Sequence, residues 1–108
     1  MILEHAILDV RPGESPAFLL ALQQALPLIG ATPGFIGLEV LPCIETPDRY
    51  LLLVRWETLE DHTHGFRGSD RYQHWRALLH RFYDPFPLVE HYGEAVAISV
   101  IPAKAGTP

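Results

Sequence analysis

The apolar run Leu51-Leu52-Leu53-Val54, set within Tyr50-Leu51-Leu52-Leu53-Val54-Arg55-Trp56, limits what this chain can become more than any other stretch. A strand with one wet face alternates apolar and polar residues, whereas a strand without that alternation is covered on both faces. The run therefore belongs near the middle of a sheet with two covers. A chain of 108 residues holds one core and not two. Its own helices can supply one cover, and the second must come from elsewhere.

The flanking segments predict what surrounds that strand. Ile2 to Val10 alternates roughly and stops at Arg11-Pro12-Gly13, a strand followed by a turn. Ser15-Pro16 offers an N-cap and a first-turn proline to a helix carrying Phe18, Leu22, Leu26 and Ile29 at helical spacing, which Pro27 is expected to kink or end. Phe35 to Leu41 reads as a strand paired with Tyr50–Trp56 across Thr46-Pro47-Asp48. Thr58-Leu59-Glu60-Asp61 fits a capping box opening a helix that Gly65 and Gly68 weaken. Ser69 caps a further segment with Tyr72, Trp75, Leu79 and Phe82 on one face, and Asp84-Pro85-Phe86-Pro87 ends it. Leu88 to Ile98 reads as a closing strand.

The order is β-α-β-β-α-β, an α+β ferredoxin-like fold in which two helices cover one face of an antiparallel sheet. Residues 1–101 are expected to form the domain and residues 102–108 a mobile tail. The uncovered sheet face carries Leu and Val, each worth roughly 1.5–3 kcal/mol when buried, so a homodimer that brings two such faces together is expected.

Charge and cysteine usage exclude several partners. A formal net charge of −5 without a basic stripe argues against nucleic acid and anionic membrane surfaces. No apolar run approaches the roughly 20 residues of a membrane span. With a lone Cys43 and no basic, apolar leader, a cytoplasmic location is expected.

Chemistry concentrates between Trp56 and Arg76. His62 and Phe66 are four apart, which on a helix sets an imidazole beside an aromatic ring; His62 is either a base or a packed or capping histidine. Tyr72 and Trp75 fall on the apolar helix face, as core residues or as donors from a phenol and an indole N–H. Arg67 is either a solvated charge or a partner for an anionic oxygen. His5 and His91, on the first and last strands, are either site residues or histidines satisfied within the sheet. No metal is expected, because His62 and His64 point apart on a helix and neither CxxC nor HExxH occurs. Phosphate loops and nucleophile elbows are also missing from the sequence, so a substrate would have to contribute much of any chemistry.

The string RYLLLVRWETLEDHTHGFRGSDRYQHW, with the Phe82-Tyr83-Asp84-Pro85 and Val89-Glu90-His91-Tyr92 segments, resembles the antibiotic biosynthesis monooxygenase domain family over residues 2–93. The resemblance implies a homodimeric α/β barrel with a pocket between sheet and helices in each subunit. It also implies oxygenation of an aromatic or quinol-type molecule by O₂ without a cofactor. A pocket group would take a proton from an electron-rich phenol, and the anion would pass an electron to O₂. On this chain the resemblance gives His62 as the base with His91 as its rival. Tyr72, Trp75 and Arg67 would stabilise the oxyanion, Trp56 and Phe66 would sandwich the ring, and His5 is a further substrate-binding candidate. A ligand-binding or regulatory dimer without catalysis is the alternative. Oxygenating and haem-degrading members often place an asparagine in the pocket, and this chain has none. Haem degradation ranks low, because lining up Ser69-Asp70 puts Phe66 and Arg76 where that branch has its tryptophan and proximal histidine. A guanidinium has no lone pair for iron.

Overall fold

The computed structural model describes residues 1–98. The expected tail, residues 102–108, and residues 99–101 of the expected domain lie outside the described residues.

Four strands, β1 (Ile2–Asp9), β2 (Phe35–Pro42), β3 (Arg49–Trp56) and β4 (Val89–Tyr92), form one antiparallel sheet in the order β2-β3-β1-β4. Helices α1 (Ser15–Gly30) and α2 (Asp70–Leu79) lie together on one face. This is the expected ferredoxin-like arrangement, and the apolar run sits in the interior strand β3. Pleating divides it cleanly: Leu52, Val54 and Trp56 are buried beneath the helices, while Leu51 and Leu53 are only half-buried on the other face. On β1, Glu4, Ala6 and Leu8 face the helices, opposite Val54, Leu52 and Tyr50. Phe18, Ala21, Leu22, Ala25 and Ile29 of α1, with Trp75 and Leu79 of α2, complete the core.

The helix caps follow the sequence unevenly. Ser69 caps α2 and its hydroxyl accepts from Tyr72 N at 3.3 Å. Ser15 does not cap α1: it is the first helical residue, and its hydroxyl donates instead to Asp48 Oδ1. Pro27 does not end α1, and the helix continues to Gly30. Gln23, whose carbonyl loses its partner to the proline, lies on the exposed side, open to solvent, while Ala25 and Ile29 anchor the helix through the core.

The closing strand is shorter than expected, Val89–Tyr92 rather than Leu88–Ile98, for reasons of pairing. Tyr92 already sits opposite Leu3 and Val89 opposite Ala6, so extension past Tyr92 soon runs beyond the start of β1. In the other direction Pro87 has no N–H for the ladder. The helix expected from the capping box is also different in kind: after Leu59 and Glu60 the chain widens into a π-turn, Asp61–Phe66, before α2 starts. Among the described residues no helix is long and apolar enough to cross a membrane.

Candidate active site

The site lies between the sheet and the helices, and it is built around the buried Glu4. A carboxylate at an inward strand position between Ile2 and Ala6 is costly unless partnered, and Glu4 is 5 % exposed. Trp56, its diagonal neighbour on β3, donates its indole N–H to Glu4 Oε1 at 2.9 Å. The indole is fully buried and also forms the floor for His62, whose ring stacks on it with centroids 5.3 Å apart and planes 18° from parallel.

His62 reaches that position because the π-turn is fixed at its start. Thr58 and Asp61 close a reciprocal pair: Thr58 N donates to Asp61 Oδ2 at 3.1 Å and Asp61 N to Thr58 Oγ1 at 3.2 Å. This is the capping box with aspartate as its acid. Gly34, at φ +88°, lets the start of β2 press against the same aspartate; any Cβ there would overlap the Asp61 carboxylate. Within the turn, Arg67 N donates to His62 O at 3.1 Å, five residues apart. A π-turn thus brings His62 and Arg67 to one side, where an α-turn would pair His62 with Phe66.

His62 joins two partners. Its Nε2 lies 3.3 Å from Glu4 Oε1, at the outer end of hydrogen-bond reach. Its Nδ1 is hydrogen-bonded to His91 Nε2 on β4 at 2.7 Å. His91 sits opposite Glu4 in the β1–β4 register, so edge strand and neighbour supply the two ends of the chain Glu4–His62–His91.

Burial governs the charge states. It is the main reason the His62 pKa falls to about 3, with Arg67 and His91 adding to the effect. It raises the Glu4 carboxyl, against the opposing pull of the Trp56 hydrogen bond and of Arg67. His91 is lowered by burial first and by Arg67 second. The short approach of Glu4 to His62 is therefore a contact of a carboxyl group with a neutral imidazole, not an ion pair.

A cavity of about 60 Å³ opens beside this chain, lined among others by Glu4, His62, Phe66, Arg67, Tyr72 and Trp75. The rings of Tyr72 and Trp75 both meet Phe66 edge-on, at 5.5 and 5.6 Å between centroids. His80 and Tyr83 close the far side. Burial raises the Tyr83 phenol, which stays a donor, and burial followed by Arg76 lowers His80. Among the described residues no group of three or more His, Cys, Asp or Glu is placed to hold a metal ion, and the 2.7 Å hydrogen bond leaves no room for one between His62 and His91.

Of the residues singled out from the sequence, His62, Phe66, Arg67, Tyr72 and Trp75 line the cavity. His91 stands behind His62, and Trp56 lies beneath it, sealed from any ligand. His5 is not part of the group: it faces the opposite side of the sheet, edge-on to Tyr92. Glu4, His80 and Tyr83 are absent from the sequence-based set. Glu4 had a readable signal, a carboxylate in phase with Ala6 and Leu8 on the buried side of a strand.

The sequence profile of the antibiotic biosynthesis monooxygenase family matches residues 1–78. The uncharacterized protein YczJ of Bacillus subtilis (strain 168) is 53 % identical over 92 residues, covering 85 % of this chain and 97 % of its own. A crystal structure from Bordetella bronchiseptica that carries the same family name superimposes with a TM-score of 0.82 at 36 % identity, over 88 % of this chain and 97 % of that one. A conserved protein from Methanosarcina mazei Go1 shares the fold, with a TM-score of 0.76 at 20 % identity over 87 % and 92 % of the two chains.

Proposed function

The chain belongs to the antibiotic biosynthesis monooxygenase family, and on that footing we propose that it oxygenates a small, electron-rich phenol or quinol with O₂ and no cofactor. One observation carries the reading: acid–base groups, a guanidinium and aromatic edges converge on one cavity, as Glu4, His62 and Arg67 meet Phe66, Tyr72 and Trp75. The phenol O–H gives its proton to the Glu4–His62 pair, and the anion is held by Arg67 and the Tyr72 phenol. One electron passes from the anion to O₂, and the two radicals combine at a ring carbon that bears hydrogen. The hydroperoxide then loses water. The substrate gives up two hydrogens and gains one oxygen as a carbonyl; the second oxygen leaves in the water. His62 stays uncharged at neutral pH, so it serves the transfer without storing the proton.

The functional unit of this proposal is a homodimer. On the open face Ile7, Leu41, Leu51 and Leu53 remain exposed or half-buried, beside a His5 Nδ1 that is buried without a partner among the described residues. A second copy of the same sheet would cover them.

A second reading, a binding or regulatory dimer without catalysis, is favoured by the size of the cavity. Benzene occupies an engineered cavity of about 150 Å³, well above the volume available here. An aromatic ring enters only if the half-buried Tyr72, His80 and Pro87 yield, since the sheet below cannot. Oxygen uptake with a panel of hydroquinones and anthrones separates the two. Substrate-dependent uptake that drops at least tenfold in His62→Ala is the expected result. No uptake across the panel, or uptake indifferent to His62, removes the oxygenase.

A further inference from the structure

We propose that Glu4 is the acid–base group of the cavity and that it exchanges its proton with solvent through His62 and His91, by a shift that leaves both imidazoles neutral. The proposal rests on the oxygenase reading only for the use made of that proton; the relay itself stands on geometry.

The polar atoms lie in single file. Glu4 Oε1 faces His62 Nε2 at 3.3 Å, and His62 Nδ1 faces His91 Nε2 at 2.7 Å. Glu4 lines the cavity, whereas His91 does not line it and is only half-buried on the edge strand. The inner end meets ligand and the outer end meets water. Each imidazole has one donor and one acceptor nitrogen when neutral, so the file has two self-consistent states. With Glu4 protonated, its O–H points at His62 Nε2, His62 Nδ1–H donates to His91 Nε2, and His91 carries its proton on Nδ1. With Glu4 ionised every bond is reversed: His91 Nε2–H donates to His62 Nδ1 and His62 Nε2–H donates to Glu4.

The two states differ by one proton. It leaves Glu4 for His62 Nε2; the proton on His62 Nδ1 moves to His91 Nε2; the one on His91 Nδ1 goes to solvent. Three N–H or O–H bonds break and two form within the file, the third proton having left, and neither ring ends charged. This matters because His62 lies 4 % exposed against Trp56, where an imidazolium is poorly tolerated. A buried carboxyl behind a sealed indole otherwise has no route for its proton while the cavity holds a ligand.

Charged and titratable groups around the file come from every packed element. Arg67, after the π-turn, favours the ionised carboxylate and opposes charge on both histidines. The Trp56 N–H from β3 also favours the carboxylate. Tyr72 from α2, with His80 and Tyr83, lines the same cavity as the carboxyl.

The test is nuclear magnetic resonance on the full chain labelled with ¹³C and ¹⁵N, without substrate. Glu4 Cδ and the ring nitrogens of His62 and His91 are followed from about pH 4 to about pH 9, a range that brackets the ordinary values of both residue types. Ionisation of Glu4 is expected to coincide with exchange of the protonated nitrogen on both rings, from Nδ1 to Nε2, with no imidazolium signal at His62. In Glu4→Gln, which keeps an acceptor for Trp56, the exchange on His62 should vanish. In His91→Gln, exchange of the His62 ring proton with water should slow at least tenfold. Titration of Glu4 with the His62 tautomer unchanged, an imidazolium at His62 in the same step, or a tautomer exchange that survives Glu4→Gln would each overturn the relay. These spectra do not depend on turnover, so a protein that takes up no O₂ but shows the coupled exchange loses the oxygenase and keeps the relay.

Discussion

The two faces of the sheet are cut from the same strands, yet they solve different problems. On the helix-covered face Ala6, Leu8, Leu52, Val54 and Trp56 are buried, and a single carboxylate, Glu4, is carried among them by an indole and an imidazole. On the open face Ile7, Leu51 and Leu53 are apolar but stay exposed or half-buried. The covered face therefore accepts a polar group where a hydrocarbon would pack at less cost, and the open face displays hydrocarbon where a polar group would cost nothing. Stability alone explains neither choice. The first supports the proposed site and the second the proposed dimer interface, and alternation along one strand lets eight residues of β1 serve both.

The comparison can be broken most sharply at Trp56. Trp56→Ala empties the centre of the covered face, strips Glu4 of its donor and removes the floor under His62. The expected loss is about 3–5 kcal/mol, read as a lower urea midpoint at unchanged slope. A midpoint within about 1 kcal/mol of wild type would mean that the covered face does not depend on its indole.

On the open face the corresponding change is Ile7→Asp. A carboxylate in the proposed sheet-to-sheet interface should weaken self-association about 100-fold, or about 2.7 kcal/mol, with the monomer still folded. Sedimentation that shows an unchanged dimer would place the interface elsewhere.

The smallest effect is set by pH and sharpens the difference in charge. His62 titrates near 3 when folded and near 6.5 when unfolded, so between those values the unfolded chain binds the extra proton. Stability from the neutral imidazole is complete above about pH 6.5 and declines as pH falls toward 3. His80 and His91, also lowered, act in the same direction. Glu4, whose carboxyl is raised, acts oppositely, its contribution being lost as pH rises through its folded value. The histidines dominate in number, and Tm is expected to fall by about 10 °C from pH 7 to pH 4, given roughly 4–8 °C per kcal/mol in a domain of this size. His62→Phe should flatten that slope; a slope that persists would assign it to other groups.

Sequence patterns carried the architecture because its signals are local and redundant. The apolar run in β3, the Ser69 cap and the turn at Thr46-Pro47-Asp48 each specify one element, and together they leave one order. Pro27 was misleading because its cost depends on whether Gln23 meets water, which only the packed helix decides. The last strand ended early because strand length depends on the partner strand, whose Leu3 lies 89 residues before Tyr92. The site was half legible for a related reason. Phe66, Arg67, Tyr72 and Trp75 lie in one stretch whose face can be read from spacing, whereas Glu4 and His91 join His62 only through the β1–β4 register.

The π-turn also bears on how this part of the chain can be edited. Because the backbone of Arg67 bonds to His62 five residues back, the turn holds one residue more than an α-helix would over the same rise. Deleting one residue, such as Gly65, would relax it to ordinary helix without breaking the fold, and would set Arg67 four residues from His62, on the same side as before. The turn is thus a place where chain length can vary at little cost: a relative one residue shorter between His62 and Arg67 would still present both side chains to the cavity.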